Sequence, residues 1–389
     1  MAAAVTLAGR GVPVTVFESG PVPGGRARRV KTEGRELDNG QHILIGAYSE
    51  LLRLMQLVGV PLDALARLPL ELRYADGFRV RGVAGLLLSG RIPLRERVGA
   101  VRFMLALRKT RFRIERDMPV AELLDRNGQN GVIGHYVWRP LCVSALNTPP
   151  EQASAQVFAT VLRDSLAGPS GASDLLLPRV DLSRLFPEPA ARYLRAHGGE
   201  MRTGTPVRSV DELKNEFARI IVAVGPHQLK SLLPDIAPEY AYQPIYTCYL
   251  QYPESVNLPF PMLGFSDGLV QWAFDRAMLT GERGLLACVI SAQGDHQQMA
   301  QEELAATCHR ELKAALPGLP EPQWARVIAE KRATIACVPR AKRVDFRMGK
   351  DLLLAGDYLD PEYPPTLEAA VRSGVRAATQ AADSISRSI

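Results

Sequence analysis

The residues best suited to chemistry in this 389-residue chain gather at its two ends. Near the carboxy terminus an apolar run, Leu352-Leu353-Leu354-Ala355, stops at Gly356-Asp357, and Tyr363-Pro364-Pro365-Thr366-Leu367-Glu368 then signals the start of a helix. A glycine lets backbone approach a ligand closely, and a carboxylate such as Asp357 accepts hydrogen bonds from the hydroxyls of a ribityl or ribose chain. The unpaired amides that open a helix, here around Pro365, Thr366 and Leu367, attract an anion or a polar group. At the other end, Val12 to Glu18 reads as a β-branched strand closed by an acid. From that position a carboxylate can hydrogen-bond the ribose of a bound dinucleotide.

The elements that must position these groups follow from pattern. Ala2 to Ala8 is helix-forming and is stopped by Gly9-Arg10-Gly11, so with the following strand it makes the back half of a dinucleotide-binding βαβ unit. The front half, a strand and its glycine-rich phosphate turn, is expected roughly 10–20 residues upstream of Met1. The chain is therefore expected to be an amino-terminally truncated reading, with weakened cofactor retention. Helical patterns such as Tyr48 to Leu57 follow, broken by Gly59 and Pro61. Ile220 to Val224 before Gly225-Pro226 is a buried-strand pattern, and Tyr246 to Leu250 and Leu285 to Ser291 are further strands. A helix is expected over residues 299–316.

Glu18, Pro23-Gly24-Gly25-Arg26-Ala27-Arg28, Leu37-Asp38-Asn39-Gly40-Gln41-His42 and the terminal Gly356-Asp357 block together resemble the flavin amine oxidase and phytoene desaturase superfamily. Within it, Asp38 to His42 and Trp138-Arg139-Pro140-Leu141-Cys142-Val143-Ser144-Ala145-Leu146-Asn147-Thr148-Pro149 are similar to the squalene-associated FAD-dependent desaturases, the hydroxysqualene dehydroxylases. The resemblance implies an α/β fold: a Rossmann-like FAD-binding domain of the GR2 type, its first strand missing, with an α+β substrate domain inserted discontinuously. Residues 1–46, 196–239 and 338–389 would form the first and residues 47–195 and 240–337 the second. It also implies that Glu18 binds ribose, that Gly24, Gly25 and Arg26 run past the diphosphate, and that Val207 meets the adenine. Asn39, Gly40 and Gln41 would join the cofactor site, while Gly356, Asp357, Pro365, Thr366 and Leu367 hold the ribityl chain and flavin. An arginine fork suits phosphate oxygens, which makes the diphosphate the better partner for Arg26, with a surface carboxylate as the alternative. Glu368-Ala369-Ala370 departs from the Glu-Gly-Ala of many relatives.

No side chain stores two electrons as a hydride, so that work falls to the cofactor. By resemblance, reduced FAD would convert hydroxysqualene to squalene in bacterial squalene and hopanoid synthesis, with a protein group donating a proton to the leaving hydroxyl. The polar candidates nearest the motifs are Asp38, His42, Tyr48, Cys142 and Asn147. Each has a structural alternative: Asp38 as a turn cap, Cys142 as a small buried apolar group, Asn147 as a turn residue. A carotenoid desaturase or an amine oxidase is the alternative function, and a non-catalytic isoprenoid-binding scaffold is the third.

Composition narrows the partners. Net charge is +6 with 47% hydrophobic residues, long enough for a large core. Five cysteines, an odd number without a C-x-x-C pair, argue for reduced thiols in a cytosol and against a zinc site. No apolar run reaches the roughly 18 residues that a spanning helix needs. Between Gly90 and Asp117 lie Arg91, Arg95, Arg97, Arg102, Arg108, Lys109, Arg111, Arg113 and Arg116, interleaved with apolar residues. This basic amphipathic segment reads as an interfacial helix on anionic lipid or as a solvated face, and the water-insoluble substrate implied by the resemblance favours the lipid. Aromatics do not interleave with it, which argues against nucleic acid. The expected partners are thus an isoprenoid lipid (hydroxysqualene), squalene-pathway synthases and a membrane surface, for a cytoplasmic protein peripheral on the inner membrane.

Overall fold

The structure, a computed structural model, describes residues 1–236, 239–349 and 351–386. Residues 237, 238, 350 and 387–389, all within the segments expected to bind FAD, lie outside it.

Two parallel strand pairs draw remote parts of the chain together. Thr15–Phe17 runs beside Glu200–Arg202, and Ile220–Val222 beside Leu352–Leu354. The amino-terminal strand is shorter than its sequence pattern. Val12 N–H turns back to the Leu7 carbonyl to close the preceding helix, and Pro13 has no N–H for a ladder, so pairing begins only at Thr15. That preceding helix, Ala2–Ala8, packs on the last one, Leu367–Ser386. A Cβ at Gly374 would lie 3.1 Å from the Ala2 Cβ, so the small residue sets how closely the two helices approach.

A five-stranded antiparallel sheet occupies residues 242–335, in the order Met262–Gly264, Trp272–Asp275, Leu285–Ser291, Tyr242–Gln251, Trp324–Ile335. The strand Tyr242–Gln251 shows the period of two that a sheet covered on both faces requires. Tyr246, Cys248 and Leu250 face a cluster completed by Leu304, Cys308 and Leu312 of the helix Gln301–Ala315, while Ile245 and Tyr249 face the larger core containing Trp138, Phe158 and Leu162. Pro244 cannot donate to a ladder, and the register with Trp324–Ile335 slips there, between Gln243 and Ile245. All five cysteines are free and buried.

The hairpin Arg29–Thr32 and Arg35–Asp38 turns through Glu33 and Gly34, both with positive φ, the geometry that fits the twist of a two-residue turn. It delivers Asp38 to His42 to the junction between the parallel strands and the large sheet.

Candidate cofactor and substrate site

Glu18 follows the first strand directly. Its amide donates to the Arg202 carbonyl at 2.9 Å, and its Oε1 accepts from Gly20 N–H at 2.7 Å. Thr205 and Gly204 amides donate back to the Glu18 and Gly20 carbonyls at 3.0 and 2.9 Å, so the loop that carries the half-buried Val207 is stitched to the Glu18 turn. At Gly24, φ is +122° and a Cβ would sit 2.6 Å from the Ala27 carbonyl oxygen, which leaves glycine as the residue that fits. Gly25, at φ +58°, faces open space.

This turn sends Arg26 toward the far end of the chain. Its Nη2 meets Asp357 Oδ2 at 2.7 Å, 331 residues away, and its Nη1 donates to the Ala333 carbonyl. Arg26 therefore does pair with a carboxylate, and that carboxylate is the acid of the carboxy-terminal motif. Asn39 Nδ2 donates to Glu330 Oε2 at 3.1 Å and to the Arg26 carbonyl at 3.3 Å, which locks the segment after the hairpin against the edge strand of the sheet. Gly40 and Gln41 continue it, with Gln41 N–H on Thr247 Oγ1 at 3.4 Å. Thr366 caps the last helix by accepting from Ala369 N–H at 3.2 Å. Pro365 before it is buried, Leu367 opens the helix, and Gly356 N–H is held by Ser373 Oγ at 3.1 Å.

The five candidate catalytic residues occupy different settings. Asp38, 2% exposed, accepts from Leu182 N–H at 2.8 Å and lies 3.5 Å from Arg276 Nη1. Burial pushes its pKa up to about 6 against the pull of that amide and of Arg276. Asn147 is a left-handed helix cap at φ 46°, and its side chain is fully engaged: Nδ2 donates to Thr334 Oγ1 at 3.0 Å and to the Gln243 and Pro244 carbonyls of the slipped register, while Oδ1 accepts from Ala292 N–H at 2.7 Å. The Cys142 thiol is wholly buried, and burial raises its pKa well above the ordinary value. His42 places Nδ1 2.7 Å from the Gly40 carbonyl, and burial, with Arg26 nearby, lowers its pKa, so its ring is neutral at neutral pH with Nε2 left over. Tyr48 hydrogen-bonds Thr366, and burial pushes its hydroxyl up to about 12. With Ile45, Ala145, Val161, Asp164, Tyr363, Pro364 and Thr366 it lines a small, largely apolar cleft of about 30 Å³ beside the start of the last helix.

Three participants have partners that no local signal in sequence shows. Arg276, 3% exposed, joins Asp38, Gln41 Oε1 at 3.1 Å and Glu282 at 2.9 Å. Glu368, fully buried, accepts from Glu50 and Leu51 amides at 3.1 and 2.9 Å and so caps the helix Ser49–Leu57 from outside. The third is a groove of about 220 Å³ lined by Tyr74, Pro140, Val143, Phe265 and Trp272. Trp272 is fixed there by its indole N–H on Ser144 Oγ at 3.1 Å. The helix Arg139–Leu146 contributes Pro140 and Val143 to this groove and Ala145 to the Tyr48 cleft, so the two spaces flank one helix.

These residues fit FAD. A carboxylate ends the first strand, where such a group can bond ribose, the Gly24-Gly25 turn takes a backbone shape that a Cβ would block at Gly24 and leaves space at Gly25, and the guanidinium after that turn meets the carboxylate of the segment that leads to a 20-residue helix. Fold and site together define an α/β flavin-dependent oxidoreductase. The family described as flavin-containing amine oxidoreductases matches residues 1–382, and the chain belongs to it. Among curated proteins it is 26% identical over 410 residues to a hydroxysqualene dehydroxylase of Sinorhizobium fredii, with 97% of this chain and 94% of the relative covered. A hydroxysqualene dehydroxylase of Zymomonas mobilis is 27% identical over 414 residues, covering 97% and 95%. Among solved structures, an oxidoreductase from Methanosarcina mazei superposes with a TM-score of 0.76 at 14% identity, covering 97% of each chain. A putrescine oxidase variant gives 0.72 at 18%, covering 99% of this chain and 96% of that one. The protein is thus an FAD-dependent oxidoreductase.

Proposed function

We propose that the protein reduces hydroxysqualene to squalene. The observation that carries this reading is the similarity, along 97% of the chain, to curated proteins that share that activity in their name. The aromatic side chains of the groove support it, because their faces suit an isoprenoid chain.

Reduced FAD, when bound, supplies the hydride. The balance is R–OH plus hydride plus a proton giving R–H plus water: the C–O bond breaks, a C–H bond forms, and two electrons come from the cofactor, which an external reductant such as dithionite reloads. In this reading residues 1–46, 196–239 and 338–389 hold FAD through Glu18, Gly24, Gly25, Arg26, Val207, Asp357 and the amides after Pro365, while residues 47–195 and 240–337 enclose the substrate. Of the five polar candidates, Asp38, Asn147 and Cys142 are engaged or enclosed in the protein interior. Tyr48, whose hydroxyl is bonded to Thr366 at the start of the last helix, is the proton donor to the leaving hydroxyl. The largely apolar walls of the Tyr48 cleft keep water from competing with the hydride for the allylic carbon.

The test is single-turnover chemistry. Flavin-loaded protein reduced anaerobically with dithionite is mixed with hydroxysqualene, flavin absorbance is followed, and product is measured by mass spectrometry. One squalene per flavin reoxidised is expected. A flavin that stays reduced with hydroxysqualene, while the oxidised protein is bleached by phytoene or by a polyamine, would overturn the proposal in favour of a desaturase or amine oxidase.

A further inference from the structure

Seven of the eleven exposed large apolar side chains among the described residues fall within residues 83–105: Val83, Leu87, Leu88, Leu94, Val98, Val101 and Leu105. They belong to two helices, Gly82–Leu88 and Leu94–Lys109, tied together by Arg97 Nη1 donating to the Leu87 carbonyl at 2.9 Å. The longer helix is apolar on two opposite sides. Ala100, Phe103 and Leu107 enter the core, and Glu96 is buried with them to accept Ile133 N–H at 3.0 Å. Leu94, Val98, Val101 and Leu105, at the i, i+4, i+7, i+11 spacing of one helix face, point away from that core into solvent. Leu88 and Leu94 are 80% and 67% exposed, far beyond what a solvated helix face needs.

Charge identifies what covers this face. Arg91, Arg95, Arg102, Arg108, Lys109, Arg111, Arg113 and Arg116 surround it and are exposed, and none forms an ion pair among the described residues. A second copy of the chain docked through the same face would set these cations against each other, whereas an anionic bilayer meets both the apolar stripe and its basic border. No described helix is long and apolar enough to cross a membrane, so the contact would lie in the plane of the surface.

We propose that residues 83–113 seat the protein on an anionic lipid bilayer, with Leu88, Leu94 and Leu105 entering the acyl boundary and the arginines at the headgroups. A short chain of contacts links the aromatic groove to this seat. Asp76 accepts from Tyr136 and from Ser266, a groove residue, at 2.6 and 3.1 Å, and Arg91 packs against the neighbouring Gly77. If the reaction proposed above holds, a lipid substrate therefore has a short route from the bilayer to the groove.

Vesicle sedimentation of the flavin-loaded protein, without substrate, tests the seat. Partition into phosphatidylglycerol-containing vesicles is expected to exceed that into pure phosphatidylcholine at least about tenfold at low salt, and to fall severalfold as screening shortens to about 3 Å near 1 M salt. The combined variant Leu88→Ser, Leu94→Ser, Leu105→Ser is expected to lose about tenfold of its partition. Replacing Arg95, Arg102 and Arg108 by glutamine is expected to remove the preference for phosphatidylglycerol. Melting curves and flavin content of both variants should match the parent, because every altered side chain is exposed. Absence of binding to phosphatidylglycerol vesicles, or equal binding by parent and leucine variant, would overturn the proposal. So would a dimer in sedimentation velocity that the leucine variant disperses, which would assign the face to a second copy. None of these readouts uses hydroxysqualene, so failure of the assigned reaction would not register as failure of the seat.

Discussion

Replacing Asp38 by asparagine should change how stability responds to pH more than it changes the fold. Burial lifts the Asp38 pKa from 3.8 to about 6, so the folded state holds this proton more tightly than the unfolded chain does. The stability it contributes is complete below the unfolded value and is lost as pH rises through the folded one. At about 1.36 kcal/mol per unit, the full swing is about 3 kcal/mol, of which about 1.3 kcal/mol falls between pH 7 and pH 5. Asparagine retains an oxygen for Leu182 N–H and carries no titrating proton, while Arg276 keeps Glu282 and Gln41. The assay is urea unfolding of parent and Asp38→Asn, both saturated with FAD, at several pH values in that window. Other groups titrate there, so the quantity to read is the difference between the two proteins. The parent should gain about 1.3 kcal/mol on the variant as pH falls from 7 to 5. A difference that stays flat, or one that grows toward alkaline pH, would refute the assignment of a buried, reluctant carboxylate.

Glu368→Ala removes both acceptors from the Glu50 and Leu51 amides, and at about 1–3 kcal/mol for buried donors left unpaired it should lower the melting temperature by several degrees, read by circular dichroism. Gly24→Ala forces a Cβ to within 2.6 Å of a carbonyl oxygen and should cost about 1–3 kcal/mol, with FAD affinity reduced as the turn shifts Arg26; equilibrium flavin titration reads both. Tyr48→Phe should lower the single-turnover rate of squalene formation by about 10²-fold with flavin content unchanged, whereas an unaltered rate would remove Tyr48 from proton donation.

The two ends of the chain were legible because each motif is local: glycine where backbone must bend, an acid closing a strand, a proline-marked helix start. Their meeting was only half legible. Arg26 had a phosphate or a carboxylate open to it, and that the carboxylate was Asp357 is a fact of tertiary packing. Arg276 and Glu330 lie in the large sheet region and gain importance solely from being brought against Asp38 and Asn39. Asn147 read as a turn residue; what sequence could not carry is that its amide serves the carbonyls freed where Pro244 breaks register. The basic segment showed its charge plainly, but a helix with apolar residues on both sides has no simple periodicity, and only burial tells which side is the core.

The contact between Arg26 and Asp357 sets an order of events during synthesis. The large sheet draws its strands from residues 242–335 and can close as soon as those emerge. The first strand has its partner at residues 200–202 before that sheet emerges, whereas the first helix waits for the final helix. At about 5–20 residues per second, the packing of Ala2–Ala8 on the final helix stays unfinished for roughly 20–80 s on the ribosome. The site assigned to FAD above is therefore completed among the last acts of translation, and a premature stop before the terminal helix would release a chain that holds every sheet strand but lacks the helix on which Ala2–Ala8 packs.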